Sequence, residues 1–386
     1  MLKVWNMVLV ALAFCLSIFG TFLTRSGVVN SIHSFSQSPL GGWFLGFICL
    51  TVAASAFLIW RRLPDLRART KLESLVSREA TFLYNNLLLV ALCLTILWGV
   101  MWPILTAALR GEASTVSKPY YNFFLHTFGL PLLLLMGIGP LVAWRRASLR
   151  ALGKTFLVPF AAAVVTGAAL LAVGLGSSLP GLLAYTFSAF VFASIVYEFY
   201  RGTRATGSLP RLIARNRRRY GGYVVHASVL ALAIGVAGSS AYQTVREQKL
   251  NPGDSMTVGG YTLTYQRLTQ RQESNATAYR AILAARRGGT NIGTLDPGKN
   301  VYPVEQQTSN EVAIYHDWRN AGDLFTIADQ IDKDGSVYVK VLVKPLVNLI
   351  WFAGFLFVGG SLIALWPDAA EQRRLAQRYA PEAAVA

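Results

Sequence analysis

The chain has 386 residues, of which 53% are hydrophobic and only 14% charged, with a mean hydropathy of +0.42. That balance excludes an ordinary soluble domain pair and describes a membrane protein. The formal charge of +17 raises nucleic-acid binding, but the positive residues alternate loop by loop, a pattern that membrane topology explains and a nucleic-acid surface does not.

Hydropathy marks about eight spans, at residues 4–23, 43–60, 84–106, 121–143, 155–175, 180–199, 221–240 and 346–366. Arg61, Arg62, Arg67, Arg69, Lys71 and Arg78 follow span two, and Arg145, Arg146, Arg150 and Lys154 follow span four. Seven arginines from Arg201 to Arg219 precede span seven, and Arg373, Arg374 and Arg378 close the chain. The other short loops hold only Arg25, Arg110 and Lys118 as positive residues. This bias predicts cytoplasmic termini, with the basic loops on the same side.

Span one starts close to Met1 and runs into Thr24-Arg25-Ser26-Gly27 without a small-residue cleavage site, so a retained helix is expected. The loop at 24–42 follows. Val28, Val29, Ile32 and Phe35 have helical spacing there, which predicts a short helix on the membrane surface with His33 near its end. A solvated loop histidine is the alternative at that position. Cys15, Cys49 and Cys93 all fall inside spans without a CxxC pairing, and are expected to pack rather than to bridge or bind metal.

Span three is approached through Ser77-Arg78-Glu79, in which Ser77 can cap a helix, and Asn85-Asn86 at its rim predict contact with another helix or subunit. His126 lies among Tyr121, Phe123, Phe124 and Phe128 near the outer end of span four, as in an interfacial aromatic belt. Glu198, at the cytoplasmic end of span six, is the exceptional acid within the spans, and ion pairing with Arg201 or Arg204 is expected.

Span seven is the most informative. From Gly221 it carries no charge until Arg246, yet it holds His226 about two turns inside its basic end. A neutral imidazole in hydrocarbon needs partners for its nitrogens, and such groups usually face a pathway or a ligand. Gly222, Ala233 and Ala237 share its helical face, leaving room for a neighbouring helix or a flat ligand.

Residues 241–343 change character. Positive and negative side chains nearly balance, and the alternating runs Tyr261-Thr262-Leu263-Thr264-Tyr265 and Val337-Tyr338-Val339-Lys340-Val341 predict a small antiparallel barrel or sandwich outside the membrane. His316 is expected on its surface. The organisation read from the sequence is therefore an all-α polytopic membrane protein with one inserted β-rich periplasmic domain: spans one to seven over 1–240, the domain over 241–343, and the last span with a cytoplasmic tail over 344–386.

Walker loops, GxSxG elbows, HExxH motifs and clustered carboxylates are missing from the sequence. Four histidines without ligand spacing exclude a multinuclear metal site within this chain, whereas a haem needs only one histidine from each of two helices.

Gly20-Thr21-Phe22-Leu23-Thr24-Arg25-Ser26-Gly27-Val28 with His33, then Ser77-Arg78-Glu79 with Asn85-Asn86, Gly139-Pro140-Leu141-Val142-Ala143-Trp144 and Tyr220-Gly221-Gly222-Tyr223-Val224-Val225-His226 together resemble the CcmF-type haem lyase of cytochrome c maturation. The resemblance is collinear from the first residues to the last span. It implies that His33 is an outer-face ligand to the haem being delivered and that His226 is one of two membrane-embedded axial ligands to a resident haem b. His126 and His316 match no ligand position of the family.

The family's tryptophan-rich outer motif, a preceding outer histidine and the first membrane histidine lie upstream of the matched part. The resemblance thus implies the C-terminal half, as a split subunit or a truncated product, partnered by an N-terminal half that carries those motifs. It further implies a bacterial inner membrane, the haem chaperone CcmE, a CcmH-type apocytochrome-handling subunit, apocytochrome c with its CxxCH thiols and membrane lipid as partners, and no nucleic acid. Two other readings of the residues stay open: a multi-span haem exporter or permease with His226 on its path, and a non-catalytic membrane assembly scaffold.

Overall fold

The computed structural model describes residues 3–28, 40–66, 74–142, 149–304, 306–367 and 372–374. Among them, eight helices are long and apolar enough to cross a membrane. The expected surface helix around Ile32 and Phe35, and His33 with it, lies outside the described residues. The chain divides into two compact units, residues 1–129 with 142–148, and residues 130–141 with 149–386.

The first unit holds α1 (Lys3–Arg25), α2 (Gly41–Arg61), the short α3 (Leu63–Leu66), α4 (Arg78–Arg110) and α5 (Lys118–Phe124). The Ser77 hydroxyl caps α4 by accepting from the Ala80 amide at 3.1 Å, and Gly111, at φ 77°, ends it. At 33 residues α4 is about 50 Å long and exceeds the roughly 30 Å hydrocarbon layer, which is why hydropathy starts the span at residue 84 and the cap starts the helix six residues earlier. After α5 the backbone widens into a π turn at Leu125–Gly129. Cys15 is buried as expected of a packing residue, but Cys49 and Cys93 are exposed on their helices, because a polarisable thiol is as compatible with lipid as with a core.

The second unit continues with α6 (Leu130–Leu141), α7 (Leu149–Ala172), α8 (Leu179–Thr206), α9 (Leu209–Arg215), α10 (Arg217–Ala241) and, beyond the β domain, α11 (Asn348–Leu365). Buried Phe190, Val191 and Ile195 of α8 pack with Leu133 of α6 and with Tyr220, Tyr223 and Leu230 of α10. On its other side α10 meets α11 almost backbone to backbone. A Cβ added to Gly360 would lie 2.8 Å from the Val225 amide nitrogen, and one added to Gly221 would lie 2.5 Å from that of Ala364. Glycine is required where two membrane helices approach this closely. We predict that Gly360→Leu destabilises the unit by about 1–3 kcal/mol, read as a lowered thermal midpoint in detergent, because a backbone atom cannot rotate out of the way as a side chain can.

Nine antiparallel strands lie between these helices: β1 (Thr244–Leu250), β2 (Ser255–Val258), β3 (Tyr261–Gln272), β4 (Thr277–Arg287), β5 (Thr290–Leu295), β6 (Gly298–Tyr302), β7 (Gln307–Asp317), β8 (Gly322–Ile331) and β9 (Val337–Pro345). They pair in the order β1-β9-β8-β7-β6-β4-β3-β2, with β5 on β4. Arg246 of β1 donates to the Thr257 carbonyl of β2 at 2.7 Å, joining the two ends of that order. Tyr261, Leu263 and Tyr265 of β3 and Val337, Val339 and Val341 of β9 are buried, so both alternating runs face one core. Gly288 and Gly289 both adopt positive φ in the two-residue turn between β4 and β5, the conformation that matches the twist of paired strands.

Candidate functional site

The site is built on α10 and the C-terminal end of α8. α9 folds the chain back between them, which sets Arg219 beside Glu198 across 21 positions of sequence. Glu198 is 6% exposed. Arg219 Nη2 donates to Glu198 Oε2 at 2.5 Å and Arg219 Nε donates to the Tyr223 hydroxyl at 3.1 Å. The Tyr223 hydroxyl also lies 3.5 Å from Glu198 Oε2 as a donor, and Arg201 Nη1 stands 3.7 Å from Oε1. Glu198 is ion-paired as expected, but its close partner is Arg219, while Arg204 turns to the Tyr200 hydroxyl at 3.4 Å. The expected pair with Arg201 is present, and Arg219 adds the closer bond because it crosses from the neighbouring helix. A buried carboxylate left without such a partner would cost several kcal/mol.

One turn further into α10 comes His226. Its ring is half-buried and stands 6.4 Å from that of Tyr223, tilted by 54°. Its Nδ1 is buried without a hydrogen-bond partner. The small-residue character of α10 separates into two faces. Gly221, Gly235 and Gly238 are taken up by close packing, Gly221 and Gly235 against α11, whereas a Cβ built on Gly222, one turn before His226, meets nothing within 4 Å. Ala233 packs toward α8. Room for a flat group therefore remains at Gly222, next to an imidazole whose buried nitrogen is unsatisfied. With Nδ1 closed off, the other ring nitrogen, Nε2, is the atom a haem iron would reach, and a half-buried neutral imidazole one turn from an open helix flank fits such a ligand.

His126 and His316 belong to other elements, and His33 lies outside the described residues. His126 sits exposed in the π turn at Leu125–Gly129 of the first unit. His316 lies on the outer face of β7, with Nδ1 3.0 Å from Asp323 Oδ2. Among the described residues no three His, Cys, Asp or Glu side chains converge as a metal site. Sequence reasoning missed Arg219 and Tyr223 as the groups linking Glu198 to the histidine's helix. Their signal was present, since Tyr220 and Tyr223 at a three-residue spacing place two aromatic rings on the face that receives α8.

Comparison with known proteins agrees with this architecture. Residues 241–345 match the family model described as the CcmF C-terminal beta-sandwich. The cytochrome c-type biogenesis protein CcmF of Pseudomonas aeruginosa is 33% identical over 366 residues, covering 94% of this chain and 55% of the relative. CycK of Bradyrhizobium diazoefficiens is 31% identical, over 94% and 56% respectively, and CcmF of Escherichia coli 28% identical, over 99% and 58%. A solved structure of the cytochrome c haem lyase CcmF superposes with a TM-score of 0.72 at 26% identity, covering 95% of this chain and 55% of that one. The chain spans about half the length of the curated relatives it matches. Its β domain belongs to the CcmF C-terminal beta-sandwich family, and over nearly its whole length the chain resembles the C-terminal half of a CcmF-type protein.

Proposed function

We propose that this chain is the haem-binding C-terminal part of a cytochrome c haem lyase, holding a resident haem b through His226 and receiving substrate haem through His33. The observation that carries this reading is the half-buried imidazole of His226 within a membrane-spanning helix, one turn from the open flank at Gly222. The family's chemistry supports haem as the ligand.

A resident haem supplies one-electron redox chemistry when bound. The chain's own residues hold it and set its surroundings. His226 would hold it with one imidazole, and a membrane histidine of the N-terminal half, which the family resemblance implies, would supply the other. Arg219, Glu198 and Tyr223 brace the helix one turn away. On the other side of the proposed topology, His33 holds the iron of the substrate haem while apocytochrome CxxCH thiols are attached to its vinyl groups. The loop charges support cytoplasmic termini and a periplasmic β domain in a bacterial inner membrane. CcmE and a CcmH-type subunit are the proposed donor and presenter of haem and apocytochrome.

The test is to co-express the chain with the N-terminal half of a CcmF relative, purify the pair and record reduced and oxidised absorbance. A b-type spectrum in the purified pair is expected. Absence of haem from a pair that assembles normally would overturn the reading and leave the permease and scaffold alternatives.

A further inference from the structure

We infer that the turn between β7 and β8, with Trp318 and Arg319 at its tip, is a membrane-interface anchor that seats the β domain on the surface of the bilayer from which α10 and α11 emerge. The inference is independent of the haem reading.

The turn's level is set by its neighbours. Gly322, the first residue of β8, pairs with Pro345, the last of β9, and its carbonyl accepts from Asn348 Nδ2 at 3.4 Å. Asn348 is the first residue of the membrane-spanning α11 and is itself buried. The Trp318–Asn320 turn therefore stands at the height where that helix enters the membrane. Trp318 is nonetheless 66% exposed, and Arg319 beside it is exposed too.

The turn is braced from behind. Buried Asp317 is ion-paired with Arg287 and accepts from the Tyr261 hydroxyl at 2.7 Å. Burial raises the pKa of Tyr261, which keeps that hydroxyl a donor. The Trp318 ring is tilted by 35° against that of His316 at 6.2 Å and is otherwise exposed, and at a bilayer surface such an indole reaches the acyl boundary with its ring and the headgroups with its N–H. A neighbouring guanidinium matches lipid phosphate by geometry and charge.

The same end of the domain carries an apolar row across four strands. Ile314, Phe325, Leu342 and Val245 are successive partners on β7, β8, β9 and β1. Ile314 and Val245 are 41% and 46% exposed, and the Lys344 ammonium sits over the Phe325 ring, 4.7 Å from its centre. Aromatic, aliphatic and basic side chains within about 10 Å of the end of the sheet that continues into two membrane helices describe an interfacial belt rather than a surface for a water-soluble protein.

Val304 provides the internal control. It is 86% exposed, but it lies in the turn before Gln307, at the opposite end of β7 from Trp318. The full chain, with Cys15, Cys49 and Cys93 replaced by alanine, is reconstituted in vesicles of phosphatidylcholine and phosphatidylglycerol. Trp318→Cys, Arg319→Cys and Val304→Cys each carry a nitroxide, and its accessibility to oxygen and to a water-soluble nickel chelate is measured. The expected result is an inversion: oxygen outcompetes nickel at 318, nickel outcompetes oxygen at 304, and 319 falls between them. Nickel accessibility at 318 equal to that at 304 would overturn the anchor. So would an immobile label at 318 and 319 shielded from both reagents, since that marks a protein partner.

Discussion

Replacing His226 with alanine should strip the b-type haem from the assembled complex while leaving the membrane fold in place. Loss of one of two axial imidazoles opens a coordination position, and a fall in haem affinity of at least about tenfold corresponds to only about 1.4 kcal/mol of lost binding energy. The fold should tolerate the change for a reason visible at the site. Nδ1 has no partner to lose, and alanine removes an unsatisfied buried group together with a tilted contact to Tyr223. Stability without haem should therefore hold or rise. Stability with haem should drop toward it, because a ligand that binds only the native state contributes in proportion to its occupancy. The measurements are haem content and thermal midpoint of mutant and parent, each with and without haem. Intact occupancy and an unchanged spectrum in His226→Ala would refute the assignment.

The second large effect is expected at His33. His33→Ala should lower cytochrome c maturation at least about tenfold, corresponding to about 1.4 kcal/mol of lost transition-state stabilisation, while the haem b at His226 stays bound. The two histidines belong to separate ligand sets in this reading, so each should fail alone. Added imidazole offers a further discrimination: it can enter an open axial position and restore part of the activity, but it cannot replace a side chain needed only for packing. Covalent c-type haem in cells co-expressing an apocytochrome reads the first effect, and the spectrum of the purified complex reads the second. Full maturation in the alanine mutant would remove His33 from the mechanism and leave His226 as the functional ligand of this chain.

Much of this protein was legible because its strongest signals are local. A membrane span is a run of apolar residues long enough to cross hydrocarbon, and a strand with one buried face is an alternation of two. All eight spans and the β domain follow from those periods without knowledge of any contact. The cap at Ser77 was legible for the same reason, since the hydroxyl and the amide it accepts from are three residues apart. His226 could be singled out because an ionisable ring in an uncharged run is anomalous wherever the helix goes.

Pairings across distant segments could not be read this way. Glu198 was expected to meet Arg201 or Arg204, its near neighbours, yet its closest bond is to Arg219, which α9 brings alongside by reversing the chain. The glycines of α10 looked like one small surface, but packing assigned Gly221 and Gly235 to α11 and left Gly222 open. Only the strand register showed that Ile314, Phe325, Leu342 and Val245 form one row, and only the bond from Asn348 to Gly322 set the Trp318 turn beside the first residue of α11. Composition and period determine which segments bury themselves in lipid or in a core. Which faces meet, and therefore which buried groups are left without a partner, is decided by how the elements pack.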